Sequence, residues 1–218
     1  MHLHGKRVLV TGGSSGIGQA MAQALLAKGA KVVVTGRRPD VLAAAIKDLE
    51  SGGGFARGVA ADVGSAEGRA ATLTQALDTL GGLDILVNNA GGVRAGRLEN
   101  TTEAEIEAMV TVDLLAPILL TRAALPALRA SGDAMVVNVT SGIALIGAPF
   151  YTTYAAVGWS RPFRRGAATG VEGRGHPRAD RLSRRHRHPD DEIKSRWAGT
   201  RLFPGTGLGR RRRHRRGH

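Results

Sequence analysis

The 218-residue chain contains no cysteine. Disulfides, thiolate metal sites and a thiol nucleophile are therefore excluded, and the composition fits a reducing, cytoplasmic setting. No uninterrupted apolar run approaches the ~18–20 residues that cross a bilayer, so the sequence predicts no membrane-spanning segment and no membrane partner. Met1-His2-Leu3-His4-Gly5-Lys6-Arg7-Val8 runs straight into a strand-like segment, without an apolar stretch of signal-peptide length. Acidic residues are few: 18 Asp+Glu face 31 Lys+Arg, a formal net charge of +13.

That excess is local. Residues 1–157 hold 13 basic and 13 acidic side chains, whereas residues 158–218 hold 18 and five, and 17 of those 18 are Arg. The same 61 residues contain 10 Gly but only five Val, Leu or Ile. Such a segment has too little apolar surface to offset the entropy of ordering it. The expected organisation is one domain over residues 1–157 and an Arg/Gly-rich tail over residues 158–218 without a packed core.

Within the first 157 residues, short β-branched runs alternate with longer amphipathic stretches, the pattern of βαβ units around a parallel sheet. Strands are predicted at residues 7–11, 31–35, 55–61, 84–88 and 135–139, with helices at 16–28, 39–50 and 65–80. Thr102 and Glu105 form a capping-box pair that opens a further helix near residue 103. Pro117 and Pro126 suggest turns or kinks in the apolar segment from Leu114 to Leu128. The nearly continuous apolar strands predict a sheet covered on both faces. The fold class expected is α/β: a Rossmann-like, doubly wound parallel sheet whose C-terminal part is truncated or aberrant.

After the first strand comes Thr11-Gly12-Gly13-Ser14-Ser15-Gly16-Ile17-Gly18. Glycines let a backbone turn tightly and approach a pyrophosphate, and the helix N-terminus behind them offers free N–H groups. Asp62 follows the third strand, where a carboxylate can accept from an adenine amino group. Asn88-Asn89-Ala90-Gly91 ends the fourth strand, at the sheet end where ligands sit in open α/β folds.

These motifs, with Ser141 and Tyr154 thirteen residues apart, resemble the short-chain dehydrogenase/reductase family over residues 6–157. The resemblance implies a nicotinamide cofactor and reversible hydride transfer between a carbonyl and an alcohol. It places cofactor contacts on Thr11, Gly12, Ser14, Ser15, Gly16, Ile17 and Gly18. Further contacts are implied at Asp62 and Val63, and at Asn88, Ala90 and Gly91. The second strand ends in Thr35-Gly36-Arg37-Arg38, with no acidic residue to accept from a ribose 2′-hydroxyl. Two guanidinium groups suit a 2′-phosphate, so NADP(H) is expected over NAD(H). No metal site is expected; His186, His188, Asp190 and Asp191 fall in the Arg-rich segment.

By resemblance, Tyr154 is the proton donor to the substrate oxygen and Ser141 its hydrogen-bonding partner, while Tyr151 packs. Two positions depart from the family pattern. Asp113 stands where the family has Asn, a change that adds a charge and removes an amide donor. Gly158 stands where the family has the Lys that assists the phenol, which without help titrates near ~10 and is a sluggish acid at neutral pH. Arg161 is two helical turns on and precedes Pro162, a poor substitute. An impaired oxidoreductase is therefore expected, acting on a small carbonyl or alcohol, in a family that often forms homo-oligomers. The alternative is a catalytically dead NADP-binding module whose basic tail binds nucleic acid without specificity.

The lost Lys coincides with the break in composition. Read one nucleotide later, Arg codons become Val, Ala, Asp or Gly codons, and residues 210–218 can then encode an ordinary helix. Residues 176–199 can likewise encode a strand followed by Pro-Gly and Thr. The tail is accordingly read as frameshifted.

Overall fold

The computed structural model describes residues 2–145 and 148–157. Five strands form one parallel sheet: β1 (Arg7–Val10), β2 (Lys31–Gly36), β3 (Ala56–Ala60), β4 (Ile85–Asn88) and β5 (Met135–Asn138). Their order is β3-β2-β1-β4-β5, with Val8 opposite both Val32 and Ile85. The α-helices are α1 (Gly16–Leu26), α2 (Pro39–Glu50), α3 (Ala66–Leu80), α4 (Glu103–Val110), α5 (Ala116–Ser131) and α6 (Thr152–Val157).

Strand side chains alternate between faces, and both faces are apolar. Val8, Val10, Val32, Val34 and Val87 pack with Ala22 and Leu26 of α1 and Leu42 and Leu49 of α2. Leu9, Val33 and Leu86 point the other way, onto Ala76 and Leu80 of α3 and Leu120, Ala124 and Leu128 of α5. Each such side chain contributes roughly 1.5–3 kcal/mol by leaving water, which explains why these strands carry no polar face. The predicted two-sided parallel sheet is what the chain forms. At β5, Met135 is 44% exposed, and this strand is an edge of the sheet among the described residues.

Local chemistry sets the helix ends. Ser65 caps α3 by accepting from the Gly68 N–H, and Gly81 closes it with a left-handed φ of 70°. The predicted Thr102–Glu105 capping box opens α4, both of its hydrogen bonds being present.

Of the two expected turn or kink positions, Pro126 does not end its helix, and Pro117 follows directly on a local irregularity of the helix. Pro117 lies in the first turn of α5, just past the π turn Thr111–Leu115, and Pro126 sits inside the helix without ending it. Burial of Ala116, Leu120, Ala124 and Leu128 against the sheet holds the helix through the proline. α4 and α5 join through Thr111–Leu115, wound as a π turn in which the Ala116 N–H donates to the Thr111 carbonyl. The continuous helix Glu103–Ser131 is long and apolar enough, by length and composition, to cross a membrane. Asp113 and Arg122 interrupt its apolar run, and Ala116, Leu120, Ala124 and Leu128 are buried within the domain.

A polar clamp ties the amino ends of β1 and β4. Asp84 accepts from the Arg7 backbone N–H (2.8 Å), Nε (3.0 Å) and Nη2 (2.7 Å), and from the Ser131 hydroxyl (2.6 Å).

Candidate active site

The strand order reverses between β1 and β4, so the connections leaving their carboxyl ends diverge and leave a crevice. The two walls of that crevice are the Thr11–Gly18 loop and the Asn88–Gly91 segment, which are bonded to each other. The Thr11 hydroxyl accepts from the Asn89 and Ala90 N–H groups, both at 3.0 Å. Asn89 Nδ2 donates back to the Thr11 and Gly12 carbonyls at 3.0 and 3.1 Å. Two glycines permit this closeness. Gly12 has φ +64°, and a Cβ there would lie 2.8 Å from the Ala90 Cα. A Cβ on Gly18 would meet the Gly12 carbonyl oxygen and Asn89 Nδ2 at less than 3.0 Å.

An open cavity of about 530 Å³ fills the crevice. Gly12, Ser14, Ser15, Ile17 and Gly18 line one side, Arg37 and Arg38 the end of β2, and Asp62 and Val63 the end of β3. Ser15 precedes α1 in an extended conformation and makes no side-chain cap, so the first N–H groups of α1 lack a side-chain acceptor. With their partial positive charge and the absent Cβ at Gly12 and Gly18, these N–H groups fit a pyrophosphate.

Asp62 keeps one oxygen on the Gly64 N–H at 2.9 Å, a turn role that leaves its carboxylate on the cavity wall. Thr11, Gly16 and Asn88 do not line the cavity. Thr11 is buried as the pin just described, and Asn88 Nδ2 donates to the Thr121 hydroxyl at 3.0 Å and the Asn138 Oδ1 at 2.8 Å. Asn89, Arg94, Glu105, Met109 and Val112 line the cavity without having been predicted to. The signal for Asn89 was its place directly after Asn88, the last residue of β4. For the three on α4 and the π turn, only the packing of that helix over the cavity reveals them. Arg94 pairs with Glu105 at 2.9 Å, which fixes the loop after β4 to the cap of α4.

A second cavity of about 310 Å³ shares Ile17 and the Asn89–Val93 segment with the first, and adds Asp113, Val139, Thr140, Ser141, Tyr154 and Val157. Ser141 follows β5, and its hydroxyl accepts from the Ile143 N–H at 3.3 Å. Tyr154 sits on α6, its ring 6.3 Å from that of Tyr151 and tilted by 55°, so Tyr151 packs as expected. Asp113 enters from the π turn, and its Oδ1 accepts from the Gly92 N–H at 2.7 Å. The structure therefore brings Ser141, Tyr154 and Asp113 to one cavity, at one end of the glycine-loop crevice. Gly158, Arg161 and the 186–191 His/Asp group lie outside the described residues, and no cluster of metal-ligating side chains occurs among those described.

A parallel sheet in this order, with a glycine loop at its switch point and a second cavity beside it, defines a dinucleotide-binding fold. Residues 6–159 match the short chain dehydrogenase family, and the chain belongs to that family. An uncharacterized oxidoreductase of Thermotoga maritima is 35% identical over 155 residues, covering 71% of this chain and 61% of that protein. The ketoacyl reductase HetN of a Nostoc species is 36% identical over 154 residues, covering 71% and 54%. The crystal structure of a metagenomic short-chain oxidoreductase in complex with NADP superposes with a TM-score of 0.71 at 35% identity, covering 77% of this chain and 76% of that one. The chain thus spans little more than half the length of the curated relatives it matches.

Proposed function

We propose that this domain binds NADP(H) in the crevice and supports hydride transfer between the nicotinamide and a small carbonyl or alcohol at the Ser141–Tyr154 cavity. The observation that carries this reading is the shared wall: the segment Asn89–Val93 borders both cavities, so a ligand along the glycine loop ends beside Tyr154 and Ser141. The bound dinucleotide would supply the hydride. The chain's own residues hold the rest. The Tyr154 hydroxyl gives a proton to the substrate oxygen, and the Ser141 hydroxyl donates a hydrogen bond to the same oxygen, so the carbonyl becomes a neutral alcohol. With Gly158 at the family's Lys position, turnover by this chain is expected to be slow.

The test is NADPH oxidation with a panel of aldehydes and ketones, comparing the parent with Tyr154→Phe. Loss of the phenol is expected to lower the rate by about 10²–10⁴ and to leave NADPH affinity nearly unchanged. Equal rates for the two proteins would end the acid role of Tyr154.

Arg37 and Arg38 support the preference for NADP(H), since both line the cavity at the end of β2, with no acidic residue beside them. Charge-assisted hydrogen bonds to a phosphate are worth about 1.5–3 kcal/mol. The Arg37→Ala/Arg38→Ala double variant is thus expected to bind NADPH about 10–100-fold more weakly, with NADH affinity unmoved in the same fluorescence titration. Equal binding of NADH and NADPH by the parent would count against the preference.

We further propose that residues 158–218 are the product of a shifted reading frame. The family match ends at residue 159, next to the break in composition at 158. Sequencing the coding DNA across codons 154–162 decides it: a missing nucleotide pair restores Lys at position 158, and an intact frame removes the idea. The alternative reading, nucleic-acid binding by the Arg-rich segment, rests wholly on residues outside those described.

A further inference from the structure

Asp113 is the one departure from the family pattern that the structure describes. Its Oδ1 is held by the Gly92 N–H at 2.7 Å, whereas its Oδ2 is buried and has no hydrogen-bond partner among the described residues. None of the ion pairs among the described residues includes it. An ionised carboxylate so placed is an uncompensated buried charge, whereas a neutral acid leaves only a neutral hydroxyl to satisfy. The geometry points to Asp113 as a positioning residue that works in its neutral form. Its Oδ1 holds the Gly92 N–H, its protonated Oδ2 stands where an amide nitrogen would, and together they fix the Gly91–Gly92 wall common to both cavities.

Desolvation supports this, pushing the Asp113 carboxyl above the ordinary range, while the Gly92 hydrogen bond opposes the rise more weakly. Among the described residues, the charged and titratable groups on its own cavity and the adjoining one are these. Tyr154 of α6 lies on the same cavity; Arg94, paired to Glu105 of α4, Arg37 and Arg38 at the end of β2, and Asp62 after β3 lie on the adjoining one. The loop it anchors carries Val93, 63% exposed and facing both cavities, so its release would open both.

The sign follows from linkage. A carboxyl raised on folding binds its proton in the folded state but not in the unfolded one, so stability falls as pH rises from about 4 through the raised value. Asp113→Asn keeps the shape and removes the titration. The difference in melting temperature between Asp113→Asn and the parent, measured on the full chain without cofactor, is expected to widen as pH rises above about 4 and to stop widening once the raised value is passed. As pH rises past the raised value, the NADPH affinity of the parent is expected to fall while that of Asp113→Asn stays level. This second arm rests on the NADP(H) reading. A constant melting difference would show an ordinary ionised carboxylate and overturn the inference. A widening difference with parallel NADPH affinities would overturn the positioning role alone. Absence of NADPH binding in both proteins would refute the cofactor reading, leaving the melting difference to decide the state of Asp113.

Discussion

Gly18→Ala is expected to abolish measurable NADPH binding and to lower the stability of the domain. The added Cβ meets the Gly12 carbonyl oxygen and Asn89 Nδ2 at less than 3.0 Å, and neither can move independently. Gly12 O and Thr11 O both accept from Asn89 Nδ2, and the Thr11 hydroxyl in turn holds the Asn89 and Ala90 N–H groups. One methyl group therefore pushes α1 away from the ends of β1 and β4 together. Overpacking of this kind costs about 1–3 kcal/mol, occasionally more. The displaced atoms are those proposed to bind phosphate, so affinity suffers as well, by at least about tenfold for each 1.4 kcal/mol of misplacement. Gly52→Ala is the control: nothing lies within 4 Å of its Cβ, and it should fall within about 0.5 kcal/mol of the parent. Parent-like NADPH titration by Gly18→Ala would remove the glycine loop from the binding site.

Arg7→Leu should be the most damaging change away from the cavities. Asp84 is nearly buried, with its side chain 8% exposed, while Arg7 is 29% exposed. Removing Arg7 strands a buried carboxylate with only Ser131 and the backbone N–H of position 7 to satisfy it. Breaking a buried pair from one side costs about 3–5 kcal/mol, and the partial exposure of Arg7 puts this case near 3. A melting temperature lower by roughly 6–12 °C at pH 7 is expected. The Arg7 hydrogen bonds, more than any other cause, hold the Asp84 carboxyl well below the usual carboxylate range. A carboxyl depressed on folding stabilises the folded state above its unfolded value near 4, and that contribution is lost as pH falls toward the depressed value. The gap between parent and Arg7→Leu should therefore narrow below about pH 4. A gap independent of pH would show that Arg7 acts through packing and not through the charge on Asp84.

Asp84 and Asp113 thus move in opposite directions for one physical reason applied twice. Each loses hydration; only Asp84 gains a guanidinium in exchange. Nothing in the sequence distinguishes the two, because the partner of Asp84 is 77 residues away and Asp113 gains none among the described residues. The expectation that the Asn-to-Asp change adds a charge follows from residue type alone, and burial reverses it in the reading proposed above.

Patterns carried by neighbouring residues were legible in the chain: strands through β-branched runs, α1 behind a glycine loop, the Thr102–Glu105 cap, and the Ser141–Tyr154 spacing. Periodicity, capping and backbone freedom are local properties, so the order of elements and hence the parallel sheet could be read directly. Packing decided the rest. Pro126 stays within a helix because Leu120, Ala124 and Leu128 are buried on the sheet. Asn88 turns inward to Thr121 and Asn138, and Asn89 takes the cavity wall. Glu105 and Met109 reach the cavity because α4 lies over it, and Arg94, in the loop after β4, is paired with Glu105 there. What a side chain faces, and whether it keeps its charge, depends on atoms distant in sequence. Only the folded chain brings those atoms together.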